Sequence, residues 1–204
     1  MRRDGGAEFY PCLRKHNGAY FGWQQGNEVF AVGKFARSAK KPNKDGINLL
    51  VSILVCYPEI GMVSYEPEKE ALDFSFTLQK IPPRKEFEEI AAFLEESILT
   101  YHDLEGLVPG EIDFSLEGQG NTAFFRVLRD VRTLSRGEIA LLADLMRDRF
   151  GKSLVSDQMR DVYEEDNFLR EEAIDHMIGS LKASRMSDRM IGIREEGRVM
   201  VFNK

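Results

Sequence analysis

The chain has 204 residues, of which 43% are hydrophobic and 30% charged, and its formal net charge is −6. At about 150 residues per domain, this length predicts one large domain or two small ones, with a core that depends on no disulfide or metal. The acidic balance excludes a protein that coats nucleic acid with its whole surface.

Cysteine usage and hydropathy indicate a cytoplasmic, reduced protein. Cys12 and Cys56 are too few for the disulfide framework of a small secreted protein, and neither belongs to a Cys-x-x-Cys pair. Polar and glycine residues, rather than an apolar signal core, follow Arg2 and Arg3. The longest uncharged run, 46–58, is shorter than the about 20 residues that a membrane span needs, so we expect no membrane partner.

Charge is divided unevenly along the chain. Residues 1–48 hold nine Lys or Arg and four Asp or Glu, whereas 49–204 hold nineteen and thirty. The basic excess of the first part lies in a segment with Pro42, Asn43 and Gly46 that we interpret as a linker. Its basic residues are Lys34, Arg37, Lys40, Lys41 and Lys44. Before this linker, aromatic and β-branched runs at 19–23 and 29–32 predict an N-terminal β-hairpin that turns at 24–27.

The next elements alternate between helix and hairpin. Apolar residues at helical spacing over 47–54, ended by Pro58, predict a helix. Two strands, 62–66 and 71–78, follow as a hairpin, and the second alternates between apolar and polar residues. A second helix begins after Pro82 and Pro83 and extends to about residue 101.

Residues 111–131 contain one clear strand and one ambiguous segment. The strand 111–117 alternates cleanly. Residues 122–131 fit a helix through Phe124, Val127, Leu128 and Val131, but also a strand paired across 118–121. We favour the strand, because it repeats the preceding helix-then-hairpin order.

The last third of the chain begins with a helix and ends in a hairpin. Ser135 and Glu138 form a capping box at the start of a helix that ends at Gly151. Residues 152–166 predict a polar connection, and a helix over 168–181 and a hairpin of 190–194 with 198–203 follow. The final strand is apolar on both faces, which predicts a central or covered strand.

These elements predict an α+β fold. We expect antiparallel sheet built from repeated helix–hairpin units, with the helices packed on one face and an N-terminal β-hairpin. The expected division is an N-terminal region 1–45 and an α+β body 46–204. Within the body, 46–151 could form a ferredoxin-like unit, and 152–204 a C-terminal helix–hairpin. Edge strands are expected at the terminal hairpins, so a homodimer through an edge strand is a further prediction.

Three motifs suggest chemistry, and each has a simpler explanation. The stretch 118–123 matches G-x-G-x-x-A, but a hairpin turn explains its glycines better than a dinucleotide site. Arg126, Arg129 and Arg132, followed by Arg136, could bind phosphate on a helix, whereas on a strand they would divide between the faces and pair with nearby acids. The polar residues of the alternating strands, among them Asp73, Ser75 and Glu117, are expected to face water.

The histidines do not form a metal cluster. Cys12 with His16, and Glu172 with His176, are each at most half of a site, and His102 lies at a helix end where the helix dipole favours its cation. We therefore expect no metal, no cofactor and no established catalytic residues.

Three functions remain open. The first is a non-catalytic binding, regulatory or assembly module. The second is a nucleic-acid-associated protein that uses the basic N-terminal arm and, as phosphate contacts, the three arginines of 126–132. The third is an enzyme whose residues are dispersed in sequence, with Glu172, His176 and the basic run 126–136 as candidates.

Overall fold

The described part of the chain contains four α-helices and seven strands. The computed structural model describes residues 9–10, 44–156, 164–183, 186–195 and 197–203. The helices are α1 (Lys44–Cys56), α2 (Arg84–Leu104), α3 (Arg136–Phe150) and α4 (Glu164–Ala183). The strands are β1 (Phe9–Tyr10), β2 (Ile60–Glu66), β3 (Ala71–Leu78), β4 (Ile112–Gln119), β5 (Thr122–Asp130), β6 (Met190–Glu195) and β7 (Arg198–Asn203).

All seven strands belong to one antiparallel sheet in the order β1-β4-β5-β3-β2-β6-β7. The predicted α+β class is therefore confirmed. The three predicted hairpins of the body, β2–β3, β4–β5 and β6–β7, are present and lie side by side. The N-terminal hairpin expected at 19–32 lies outside the described residues, as does the linker up to residue 43.

The ambiguous segment is a strand, as the sequence favoured. β5 pairs with β4 on one side and with β3 on the other, so that Phe125 lies between Leu116 and Phe76. The turn between β4 and β5 contains Gly120, whose φ of +64° is a conformation that glycine adopts without strain. The G-x-G-x-x-A stretch is thus a hairpin turn.

The helices and the core lie on one face of the sheet. A Cβ added to Gly192 of β6 would meet Leu54 and Leu50 of α1, which shows that α1 packs directly on this strand. The Phe125 ring lies 5.3 Å from that of Phe87 in α2 and 6.2 Å from that of Phe150 in α3. α4 packs against α1 and buries Ile174, Met177, Ile178 and Leu181. The alternating apolar residues of the strands complete this core, because every second side chain points to the same face.

The connection after α3 is more ordered than the sequence predicted. Gly151, with φ of +48°, ends α3 and begins a single 3₁₀ turn, Gly151–Ser153. Leu154 then forms an isolated bridge with Leu78 at the end of β3. Residues 157–163 lie outside the described part, and α4 begins at Glu164, within the segment that we expected to be a connection.

β7 is an edge strand, as expected for the C-terminal hairpin, and not the central strand that its two apolar faces also allowed. It is the last strand of the sheet, and its outer side is unpaired within the described ranges. Val199 and Val201 pack against the core, whereas Met200 and Phe202 on the other face are 36% and 49% exposed. Among the described residues, the helix layer covers one face of this edge strand and leaves its other apolar face exposed.

Candidate functional site

Arg129, Glu138 and His102 form a polar cluster in the interior, between the sheet and two helices. Arg129 is on β5, Glu138 in the first turn of α3, and His102 in the last turn of α2. The side chains of all three are completely buried. Three charged or titratable groups therefore meet where water cannot solvate them.

The cluster is held by short contacts to the Glu138 carboxylate. Nε2 of His102 lies 2.6 Å from Glu138 Oε2, and because a carboxylate accepts, the ring nitrogen is the donor. Nε of Arg129 donates to Glu138 Oε1, and Nη2 donates to Oε2 at 3.2 Å. This two-pronged arrangement is the geometry in which arginine and carboxylate groups bind most strongly.

The remaining donors of Arg129 are also satisfied. Nη1 donates to the backbone carbonyl of Glu111 and lies 3.3 Å from Asp130 Oδ2. Nη2 donates to Thr133 Oγ1 at 3.2 Å, and the Thr133 hydroxyl donates in turn to Asp130 Oδ2 at 2.6 Å. The buried guanidinium is thus surrounded by acceptors from Glu111, which directly precedes β4, from the end of β5 and the residues after it, and from α3.

This interior cluster joins elements rather than exposing reactive groups. It connects α2, α3 and β5, and its three side chains are completely buried. Among the described residues, Nδ1 of His102 has no hydrogen-bond partner, so the ring takes part through Nε2 alone, which also lies 3.4 Å from Arg129 Nη2. The cluster therefore holds the end of α2 and the start of α3 against β5. Removing one member of the buried ion pair would leave the other charge uncompensated.

The sequence explained each of these residues by a local role. Ser135 does cap α3, accepting a hydrogen bond from the Glu138 backbone at 3.2 Å, but the Glu138 carboxylate contacts Arg129 and His102. His102 is likewise in the last turn of a helix, although buried rather than at its surface. One signal could have found the cluster: Arg129 has the same strand parity as the apolar Phe125 and Val127. A charge on an inward-facing position requires a buried partner.

A second cluster occupies the sheet face opposite the helices. Arg126 of β5 is directly opposite Ser75 of β3 and Ser115 of β4. Its side chain reaches diagonally to Asp73 of β3 and Glu117 of β4. Its Nη1 donates to Glu117 Oε1 at 2.9 Å, its Nε to Asp73 Oδ1 at 3.3 Å, and its Nη2 to Asp73 Oδ2. We call these three residues the Arg126 cluster. It bridges three adjacent strands across the sheet.

Burial and ion pairing have opposite effects on the pKa values of the Arg126 cluster. Burial raises the pKa of Asp73 above its ordinary value of 3.8, although the charge of Arg126 and its hydrogen bond oppose this effect. The nearby carboxylates of Glu66 and Glu117 also raise it. For Arg126, burial lowers the pKa, but the charges of Asp73 and Glu117 outweigh burial and raise it overall. The guanidinium therefore stays charged in this environment.

The polar sheet face is not simply wet, as the sequence predicted. Asp73 is 6% and Ser75 1% exposed, and within the described part Ser75 Oγ has no hydrogen-bond partner. Ser115, Thr77 and Glu117 are half-buried, and Asp113 is exposed. The expectation of water was therefore wrong for Asp73 and Ser75 of β3.

Of the basic residues predicted to bind phosphate, those in the described part of the chain do not form one group. Lys34, Arg37, Lys40 and Lys41 lie outside the described residues, and Lys44 is exposed as the first residue of α1. Arg126 and Arg129 project to opposite faces of the sheet and pair with acids, as expected on a strand. The side chain of Arg132 is 76% exposed, with its Nε 3.8 Å from Asp130.

The other candidate residues are placed as follows. Glu172 and His176 are exposed on α4. Arg136, the first residue of α3, donates from its backbone and its Nε to Asp175 of α4. Cys56 is half-buried and packs against the core, and Cys12 and His16 lie outside the described part. Where the structure describes the chain, no three His, Cys, Asp or Glu side chains form a group that could hold a metal ion.

A groove lies between α2 and α3, with a volume of about 480 Å³. Its lining residues are Glu89, Ile90, Phe93, Leu145, Asp148 and Arg149. Neither polar cluster contributes to this lining. The groove and the clustered ionisable groups are therefore separate features of the molecule.

No protein-family model matches the chain, and no curated protein or solved structure gives a significant match. Of the helices in the described ranges, none combines the length and the apolar character that crossing a bilayer requires.

Proposed function

We propose that this chain is a non-catalytic assembly and binding module that associates through the edge of its sheet, with a second copy as its partner. The observation that carries this proposal is β7. An edge strand presents a row of unpaired backbone donors and acceptors, and most proteins protect such a row with charges, proline or a bulge. The register of β7 against β6 runs without a bulge, and its middle residues are Val199, Met200 and Val201.

The opposite edge of the sheet differs. There β4 is partly covered by β1, which pairs with Leu116 and Glu117. The outward-facing residues of β4 are Asp113, Ser115 and Glu117, so charge and hydroxyl groups protect this edge as they do in many sheets. The asymmetry supports β7 as the side through which the molecule associates.

The order of the strands supports the same proposal. The three hairpins form consecutive pairs, β4–β5, β3–β2 and β6–β7, and each follows a helix in the chain. We include in the proposal that these are repeated helix–hairpin units, each added to the edge of its neighbour. A second copy at β7 would continue this series of edge pairings.

The proposal includes the absence of catalysis and a cytoplasmic location. These parts of the proposal are supported by the complete burial of Arg129, Glu138 and His102, and by the separation of both polar clusters from the groove. The dispersed-site enzyme needs Glu172 and His176 to act with the basic run 126–136. Of this run, Arg136 reaches α4 through Asp175. Arg126 is on the sheet face away from the helices, and Arg129 is completely buried.

Sedimentation equilibrium of the full chain over a wide concentration range tests the proposal. We expect a mass approaching twice 23.3 kDa at high concentration. Met200→Lys places a charge on the edge and should shift the equilibrium to monomer, whereas Leu99→Lys, at an equally exposed position on α2, should not. A monomeric mass at every concentration would overturn the proposal.

Nucleic-acid binding by the basic arm is the second candidate, favoured by the unequal charge of residues 1–48 and 49–204. Lys44 is exposed at the end of that arm, which supports it. A gel-shift series with RNA and DNA tests this candidate, since phosphate contacts are strongest at low salt. Absence of binding at about 50 mM salt would remove it.

A further inference from the structure

We infer that two copies of β7 pair antiparallel about a two-fold axis that passes beside Met200, so that Arg198 of each copy lies against Phe202 of the partner subunit. This inference rests on the proposed self-association and names the surface and register through which it occurs. Isologous pairing of identical edges is the commonest closed symmetry of homo-oligomers.

The symmetry first restricts which residues can meet. In an antiparallel pair, directly opposite residues point to the same face of the sheet. Arg198, Met200 and Phe202 share the face away from the helices, because Met200 and Phe202 are opposite Ile193 and Ile191 of β6. Val199 and Val201 share the helix face, where Val201 is opposite Gly192 and α1. Residues of β7 therefore pair only with residues of the same set.

The length of β7 leaves two registers that align most of the strand. One is centred on Met200 and pairs Val199 with Val201 and Arg198 with Phe202. The other is centred on Val201; it places Asn203 against Val199 and carries Arg198 beyond the end of the partner's strand. Every other symmetric register aligns three residues or fewer.

Side-chain chemistry selects the register centred on Met200. Two apolar valine pairs form on the helix face, and the Met200 side chains meet on the other face. Each exposed Arg198 lies across from a half-exposed Phe202 ring, an arrangement that cation–π attraction favours. The alternative register sets a polar amide against valine twice and leaves Arg198, which is opposite Glu195 of its own β6, without a partner in the aligned part of the second copy's strand. Like charges are nowhere opposed in the favoured register.

The consequence is a continuous sheet across both copies. The faces away from the helices then lie side by side, and the exposed residues Met200 and Phe202 are covered from the edge. This burial accounts for apolar side chains at an edge that one layer of helices leaves uncovered.

Two variants of one residue, Phe202→Arg and Phe202→Glu, distinguish the registers. Position 202 is exposed, so both variants keep the core of the monomer. In the register centred on Met200, arginine at 202 faces the partner's Arg198 twice per dimer, and we expect the dissociation constant to rise about tenfold or more. Glutamate at 202 faces the same arginine and should retain the dimer.

The net charge of the chain makes this comparison stringent. The monomer carries −6, so long-range repulsion favours the arginine variant and opposes the glutamate variant. Retention of the dimer by Phe202→Glu alone can therefore come only from a local pair. Sedimentation equilibrium of the wild type and both variants, with circular dichroism to verify folding, is the measurement.

The results separate the choice of register from self-association itself. A dimer in the wild type and Phe202→Glu, lost in Phe202→Arg, supports the register. A dimer that both substitutions weaken equally, or neither affects, overturns the register while self-association stands. A monomeric wild type overturns the proposed function together with this inference.

Discussion

His102 donates a hydrogen bond to Glu138 across 36 residues of sequence, at 2.6 Å, and both side chains are fully buried. The contact ties the last turn of α2 to the first turn of α3. Only one nitrogen of the imidazole takes part, since no described residue bonds its Nδ1. A residue that supplies the same single donor should therefore replace the histidine in part.

His102→Gln should be less destabilising than His102→Asn. The glutamine amide can reach the position of Nε2, whereas the asparagine amide falls near Nδ1 and leaves the Glu138 carboxylate without this donor. Loss of a buried hydrogen bond costs about 1–3 kcal/mol, so we expect His102→Asn to lose that amount and His102→Gln less. Urea denaturation measures both, with the exposed His176→Gln as control. Equal losses in the two variants would contradict the role assigned to Nε2.

Arg129 and Glu138 should behave as a coupled pair. Arg129→Met leaves the Glu138 carboxylate buried without its main counter-charge, and we expect a loss of about 3–5 kcal/mol. The double variant Arg129→Met/Glu138→Leu removes both charges and should lose much less than the sum of the two single variants. The free energies of unfolding of the four proteins form the test, and additive losses would show that the ion pair does not stabilise these elements jointly.

Asp73 should make the protein less stable as the pH rises above 3.8. Its pKa is raised in the folded state by burial, so the folded protein binds this proton more tightly than the unfolded chain does. The stability that Asp73 contributes is therefore complete below the unfolded value and decreases as the pH rises through the higher folded value. Asp73→Asn lacks this titration.

The measurement is the difference in unfolding free energy between the wild type and Asp73→Asn at a series of pH values. We expect this difference, wild type minus variant, to decrease from pH 3.8 upwards until the folded group has titrated. Asp113, whose pKa burial also raises, is present in both proteins and cancels. A difference that increases with pH would mean that Arg126 outweighs burial at Asp73.

Local patterns predicted most elements of the body, because their causes lie within a few residues. The alternation of Phe74 and Phe76 with polar neighbours defined β3, and Ser135 marked the start of α3. The order of the strands could not be obtained in this way. β3 pairs with β5, whose residues follow about 50 positions later, and no short motif records that choice.

The polar clusters show the same limit. Arg129, Glu138 and His102 each had a sufficient local explanation, and only the folded chain brings them together. The edge position of β7 was expected for the C-terminal hairpin, but its two apolar faces also fitted a central or covered strand, so the sequence did not decide between them. Its exposure became informative only when the neighbouring strands and the α1 side were known.

Gly192→Ala and Gly179→Ala should change stability in opposite directions. A Cβ at Gly192 would lie 2.9 Å from Leu54 Cδ1 and 3.2 Å from Leu50 Cβ, so the Leu54 side chain must rotate and α1 must shift slightly at Leu50, and we expect a loss of about 1–3 kcal/mol. Gly179 is an exposed residue of α4 with no atom within 4 Å of an added Cβ, so alanine should stabilise the helix by about 0.5–1 kcal/mol. Thermal or urea unfolding of the two variants gives the comparison. If Gly192→Ala were neutral, α1 would not pack on β6 as closely as described, and the buried support for the β6–β7 hairpin would have to come from elsewhere.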